Sequence, residues 1–356
     1  MSHFSSAAPA EITPRPIAGA VSKRISVVLL IALLIIAFAV VPLVGNDYWL
    51  GAILIPFLIM SLAGLGLNVT MGYCGQASLG TGAFMAVGAY ATYNVLLRLP
   101  DLPLPLSLLT GGLIAGLVGL IVGLPCLRIK GFYLIATTLA AQFFIEWIFR
   151  QFPWFSNYST STSISAPQLV TLGVHLDTPV KLYLLTLTTV VVVFAVAWRL
   201  VRSQTGRNWM ATRDMETAAA AIGIPVGRAK LSAFFVGASI CGLAGALLAF
   251  AYLGTVDGNS FNLDKSFQVL FIVVIGGFSS LIGNFLGAAF VILLPILMDR
   301  VAGQLFGGAV DSGQLANSKN VLFGALIIWL LIKEPYGLAA LLKRLLHWSR
   351  TPIAVD

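Results

Sequence analysis

Charge is what this chain has least of. Of its 356 residues, 10% are charged, against roughly 25% in a soluble globular protein. Too few charges remain to solvate a water-soluble body of this length, which excludes the two or three soluble domains that length alone suggests. Cysteine is scarce too. Cys74, Cys126 and Cys241 lie in or beside apolar blocks, and an odd number without a spacing pattern argues against a disulfide framework or a zinc site. The histidines, His3, His175 and His347, are far apart, so no metal site is expected. There is no GxxxxGK[ST] phosphate loop and no nucleophile–base constellation. The chain is therefore not expected to be an enzyme, to hold a cofactor, or to drive anything by binding ATP through such a loop itself. The net charge of +8 does not signal nucleic acid. The basic residues fill gaps between apolar blocks and form no stripe interleaved with aromatics.

What is abundant is apolar: 58% of the residues are hydrophobic. They fall in blocks of about 20, and a helix of that length rises roughly 30 Å, the thickness of the hydrocarbon core. The fold class read from this pattern is an all-α integral membrane protein with about ten transmembrane helices. The spans are placed at 25–44, 49–70, 79–97, 104–124, 131–149, 180–201, 229–252, 266–282, 285–303 and 320–338. Ala37-Phe38-Ala39 resembles a signal-peptide cleavage site, but the apolar run from Ile25 to Val44 is longer than a usual signal core and reads as an uncleaved first helix.

Lysine and arginine set the orientation, because cytoplasmic loops carry their excess. With the N-terminus inside, fifteen of the 21 basic residues fall on the cytoplasmic side, and ten spans return the C-terminus there. The organisation is then a cytoplasmic tail at 1–24, a transmembrane domain at 25–338 and a cytoplasmic tail at 339–356. The Ser- and Thr-rich loop 150–179 lies outside and the basic loop 202–228 inside.

Helix contacts are expected at the GxxxG pairs Gly112/Gly116, Gly119/Gly123 and Gly283/Gly287, since small residues let backbones approach where lipid gives no hydrophobic drive. Two interruptions look alike: Gly75-Gln76-Ala77-Ser78-Leu79-Gly80, and Gly277-Phe278-Ser279-Ser280-Leu281-Ile282-Gly283. They fall on the same side, in opposite halves of the chain. Paired breaks at an internal repeat often line a transporter's substrate route, and Gln76, Ser78, Ser279 and Ser280 are the candidate lining. Tight turns at the surface would look the same. Ionisable residues inside the spans (Glu146, Arg199, Asp299, Arg300 and Glu334) sit near span ends, where snorkelling removes most of their cost. A proton- or sodium-coupled carrier usually needs a carboxylate nearer the midplane. In the inner loop, Glu216–Ala221 favours helix, Asp214 and Glu216 suit its positive end, Gly223 suits its end and Pro225 forbids continuation.

The inner loop resembles the coupling loop of membrane subunits of bacterial ABC importers of the branched-chain amino acid type. Their Glu-Ala-Ala…Gly pattern is matched by Glu216, Ala218, Ala219 and Gly223, with Thr217 placed between. Other blocks resemble the family in its order. They are Gly64-Leu65-Gly66-Leu67-Asn68, Gly72 to Gly80, Gly88-Ala89-Tyr90, Leu127 to Tyr133, Arg228 to Phe234, Gly242 to Leu247, Gly276 to Gly287, and Glu334-Pro335-Tyr336-Gly337-Leu338. The resemblance implies that the segment with Asp214, Glu216, Ala218, Ala219 and Gly223 couples to a cytoplasmic ATP-binding subunit. It also implies a second homologous permease subunit, a periplasmic substrate-binding protein, and ATP bound by the partners and not by this chain. The location implied is a bacterial inner membrane, with lipid around the helices. The implied cargo is a small polar solute, first of all branched-chain or other hydrophobic amino acids. The chain departs from the family at Phe155 to Ser161, which lacks the usual glycines, and at Gln142-Phe143, where many members carry Gly-Glu. Related importers carry urea, short amides or aromatic acids, so these stay open as cargo. A stand-alone carrier or channel is the reading from another class.

Overall fold

The computed structural model describes residues 34–127, 129, 131–158, 163–166, 170–171, 174–175, 178–306, 324–325, 328, 332 and 337–341. The 1–24 tail, most of the 339–356 tail, the start of the first expected span, most of the tenth, and Arg128, Lys130 and Glu334 lie outside the described residues. The chain divides into two units, Met1–Gly45 and Asn46–Asp356. In the first, a π turn at Ile36–Val40 runs into a helix at Val41–Val44, which stops at Gly45.

The second unit is built from helices. Among the described residues five are long and apolar enough to cross a membrane: α1 (Trp49–Tyr73), α3 (Leu104–Cys126), α5 (Pro179–Arg202), α8 (Val226–Leu253) and the Leu281–Met298 part of α10 (Leu281–Phe306). Between them lie α2 (Thr81–Arg98), α4 (Phe132–Gln151), the short α6 (Gln204–Asp214) and α7 (Glu216–Ala221), and α9 (Leu263–Gly276). This is an all-α membrane protein. Prolines stand where a helix start tolerates them, at the first turns of α3 and α5.

Burial sorts the helices. In α1 and α8 78% of the apolar window is covered by protein, in α5 and α10 only 28%. The first pair forms the centre and the second pair faces outward. Helix α2 is central too. It buries Thr81, Thr92 and Asn94 in protein, where lipid does not reach them. The centre is held by small residues. A Cβ on Gly112, Gly116 or Gly119 would strike Leu243, Ser239 or Ala238 of α8. One on Gly88 of α2 would lie 2.1 Å from the Gly242 carbonyl oxygen of α8. Likewise Gly283 meets the Gly276 carbonyl, and Gly287 that of Ile272, which closes α9 against α10. The expected GxxxG pairs are contact surfaces, and Gly88 joins them without such a spacing.

Two expectations about the chain path need correction. The eighth span does not run to 282: α9 stops at Gly276 and α10 begins at Leu281. Phe278, Leu281 and Ile282 keep the hydropathy high through the turn, while the backbone reverses at Gly277 (φ 104) and Ser279 (φ 58). The 150–179 segment is also more than a polar loop. Its β1 (Ser163–Ser165) pairs antiparallel with β4 (Thr255–Asp257) just after α8, and β2 (Val170–Thr171) pairs with β3 (Val174–His175). Nearby, Arg150 binds Glu146 (2.6 Å) and Asn259 (2.8 Å), and the Arg98 guanidinium lies 3.6 Å over the Trp154 ring.

Candidate functional site

The end of α1, just ahead of the first break, meets the second break. Helix α1 ends in a π turn, Val69–Tyr73, and the chain turns at Gly75 (φ 75) before α2. Asn68, fully buried near that end, is the hub. Its amide nitrogen donates to the Ser280 carbonyl (3.1 Å) and to Asn284 Oδ1 (3.2 Å), and its Oδ1 accepts from the Ser279 N–H (3.0 Å). The Ser279 hydroxyl donates to the Gly72 carbonyl (2.7 Å). Gly72 must lack a side chain, because a Cβ there would lie 1.7 Å from Asn68 Oδ1. Buried amides without partners are costly in a low-dielectric interior, so this network fixes the relative position of segments more than 200 residues apart.

The residues expected to line a route take different places. Ser279 and Ser280 sit at the junction with their hydroxyls engaged, Ser280 Oγ accepting from the Gly283 N–H (3.0 Å). Ser78 caps its own turn, its Oγ accepting from the Gly80 N–H (3.2 Å). It also faces a cavity lined by Thr70, Thr81, Phe84, Phe234 and Cys241. The space open there to a water's centre is about 10 Å³, room for one water and too little for an amino acid. Gln76 is 2% exposed, and neither end of its amide meets a hydrogen-bond partner among the described residues. No hydrogen bond among those residues joins Gln76 or Ser78 to Ser279 or Ser280. The start of α2 is held from elsewhere. Gln142 Oε1 accepts from the Ala83 N–H (2.5 Å), Ser266 Oγ from the Gly82 N–H (2.8 Å), and Gln142 Nε2 donates to the Phe261 carbonyl (2.8 Å).

The inner loop folds as two helices, and this moves one expected residue. Asp214 does not open the coupling helix. It ends α6, bound by its neighbour Arg213 at 2.7 Å, because Met215 is extended (φ −157, ψ 98) and separates the helices. Glu216 opens α7 as expected and accepts from Lys230 (2.9 Å), whose side chain is 9% exposed. Ala219 is buried and Ala218 exposed. The end of α7 forms a Schellman motif: the Gly223 N–H bonds the Ala220 carbonyl and the Ile224 N–H that of Ala219, with Gly223 at φ 86. At the two ends of α7, Met215 is 63% exposed and Ile222 76% exposed.

Sequence reasoning missed four residues here. Asn68 and Asn284 are amides among apolar residues, and that polarity is the signal that marks them. Trp209, fully buried, donates its Nε1–H to Ser232 Oγ (2.9 Å) and fixes α6 to α8. Arg213 is the fourth. It reaches from the end of α6 to donate to the Gly72 carbonyl (3.0 Å) and to the Ser279 hydroxyl.

Glycine-packed apolar helices, two interrupted hairpins meeting at a buried polar junction, and a braced surface helix with exposed apolar residues at its ends are the build of a transporter's membrane subunit. Residues 49–331 match the family described as branched-chain amino acid transport system, permease component. The chain belongs to that family. It is similar to the high-affinity branched-chain amino acid transport system permease protein LivM of Salmonella typhimurium and to that of Escherichia coli. Each is 31% identical over 303 residues, covering 79% of this chain and 68% of the relative. No solved structure matches the chain significantly.

Proposed function

We propose that the chain is a permease subunit of an ATP-driven importer in a bacterial inner membrane. It passes branched-chain or other hydrophobic amino acids that a periplasmic binding protein delivers. A second homologous permease completes the route, and cytoplasmic ATP-binding subunits supply the energy. In this reading the chain has ten spans with both ends cytoplasmic, the 202–228 loop faces the ATPase, and the 150–179 segment faces the binding protein. Family membership supports the class, and the names of the relatives support the cargo.

The observation that carries the reading is α7. A free carrier has no use for a two-turn helix that is capped at Gly223, tied to Lys230 and seated through Ala219, yet leaves Met215 and Ile222 in the open. Such a helix fits an apolar cleft on a partner, and its rigidity lets a partner's domain closure reach the membrane. The one-water cavity beside Ser78 fits a closed route that must open to pass cargo.

The test is purification of the tagged chain from native membranes in mild detergent. ATP-binding subunits and a second permease should come along in stoichiometric amounts, and be lost when Glu216 and Gly223 are changed to Arg. Leucine uptake by vesicles holding this chain alone, with no ATPase bound, would replace the importer reading with a stand-alone carrier.

A further inference from the structure

One side chain of the inner loop bonds the end of α1 and the second break, and lies against Gly75 at the start of the first. The Gly72 carbonyl belongs to the last turn of α1, where helical carbonyls lack intrahelical partners and the dipole is negative. Arg213 donates to it at 3.0 Å and also to Ser279 Oγ. A Cβ on Gly75, in the first break, would lie 2.8 Å from Arg213 Cγ, so the stem of the side chain lies against that break as well. Ser279 holds a left-handed backbone (φ 58), unusual for a residue with a side chain. Its fixed points are Asn68, Gly72 and Arg213. The guanidinium suits this role because its planar fork aims several donors in fixed directions, a geometry an ammonium lacks. Asp214 holds another edge of it at 2.7 Å. Behind Arg213 the loop is stiff: Trp209 anchors α6 to α8, and Glu216 anchors α7 to Lys230 of α8. Only Asp214 and Met215 separate Arg213 from α7.

We propose that Arg213 is a positioning residue that carries movement of the docking helix to both breaks at once, so that they open and close together. This rests on the importer reading above. Without the guanidinium, α7 still docks, and the partner still hydrolyses ATP, but the breaks no longer follow.

The experiment uses the complete importer in proteoliposomes, with radiolabelled leucine uptake and ATP hydrolysis measured together. A second readout is the distance between spin labels at Thr217→Cys and Phe278→Cys, which leaves Met215 and Ile222 free to dock. Both sites are exposed, and the native Cys74, Cys126 and Cys241 are buried. In Arg213→Gln the ATP-binding subunits should stay bound while uptake per ATP falls at least fivefold and the label distance broadens. A ratio within fivefold of wild type, or an unchanged label distance, overturns the proposal. If Arg213→Gln does not assemble, Ser279→Ala removes one acceptor, keeps the guanidinium, and carries the same two readouts. Failure of the importer reading shows separately, as no ATP-dependent leucine uptake by the unmodified complex, and the label distances then decide alone.

Discussion

Changing Gly88 to Ala tests whether the centre of the molecule is set by backbone contact between α2 and α8. The added Cβ would lie 2.1 Å from the Gly242 carbonyl oxygen and 2.4 Å from its carbonyl carbon and Cα. Carbon and oxygen approach no closer than about 3.3 Å even in favourable contacts. No side chain can rotate away, since both partners are main chain, so the helices must part by roughly 1 Å. Overpacking of this kind costs about 1–3 kcal/mol. The gap also weakens the neighbouring contact of Gly245 with the Met85 carbonyl, since a 0.5–1 Å separation forfeits about a quarter to a half of the dispersion there. Alanine's advantage over glycine in a helix, ~0.5–1 kcal/mol, acts in the opposite direction. The net expectation is a loss of about 2 kcal/mol. The assay is reversible unfolding in mixed micelles of rising SDS fraction, with Gly51→Ala as control, because nothing lies within 4 Å of a Cβ at Gly51. If Gly88→Ala matches wild type within about 0.5 kcal/mol, the contact does not set the helix spacing and the reasoning fails.

Three further outcomes are expected. Trp209→Phe removes the Nε1–H bond to Ser232 at 2.9 Å and should cost ~1 kcal/mol in the same titration. Trp209→Ala, which empties a fully buried site, should cost ~3–5 kcal/mol; equal small losses in both would mean α6 is not anchored there. Gln142→Leu strands the Ala83 N–H and the Phe261 carbonyl, at ~1–3 kcal/mol for each buried group. Stability unchanged by that substitution would show that other groups hold the start of α2. For topology, Tyr158→Cys and Met215→Cys place thiols at sites 72% and 63% exposed. A membrane-impermeant maleimide should reach the first from outside the inner membrane and the second only after that membrane is opened. The reverse pattern would invert the orientation.

Much of the frame could be read along the chain. Lipid imposes a fixed length on every helix that crosses it, so apolar runs bounded by glycine, proline and charge mark the helices. They did so for α1, α3, α5 and α8 within a few residues. The end of α7 was legible for a local reason: Gly223 takes a left-handed turn that Pro225 then makes final. The turn between α9 and α10 was misplaced because its apolar side chains hide it from hydropathy, although Gly277 and Ser279 reverse the backbone.

What the sequence by itself determined is therefore local: the membrane environment, the helical class, the interruptions and the short capped helix. Which pieces touch was decided only in three dimensions. Asn68 and Asn284 are 216 positions apart, and Arg213 reaches acceptors 141 positions upstream and 66 downstream. Periodicity and propensity act over a few residues. A hydrogen bond between distant segments depends instead on where several packed helices bring their ends together, and here glycine contacts of α1 with α8 and α9, and of α10 with α9, bring Asn68 and Asn284 together.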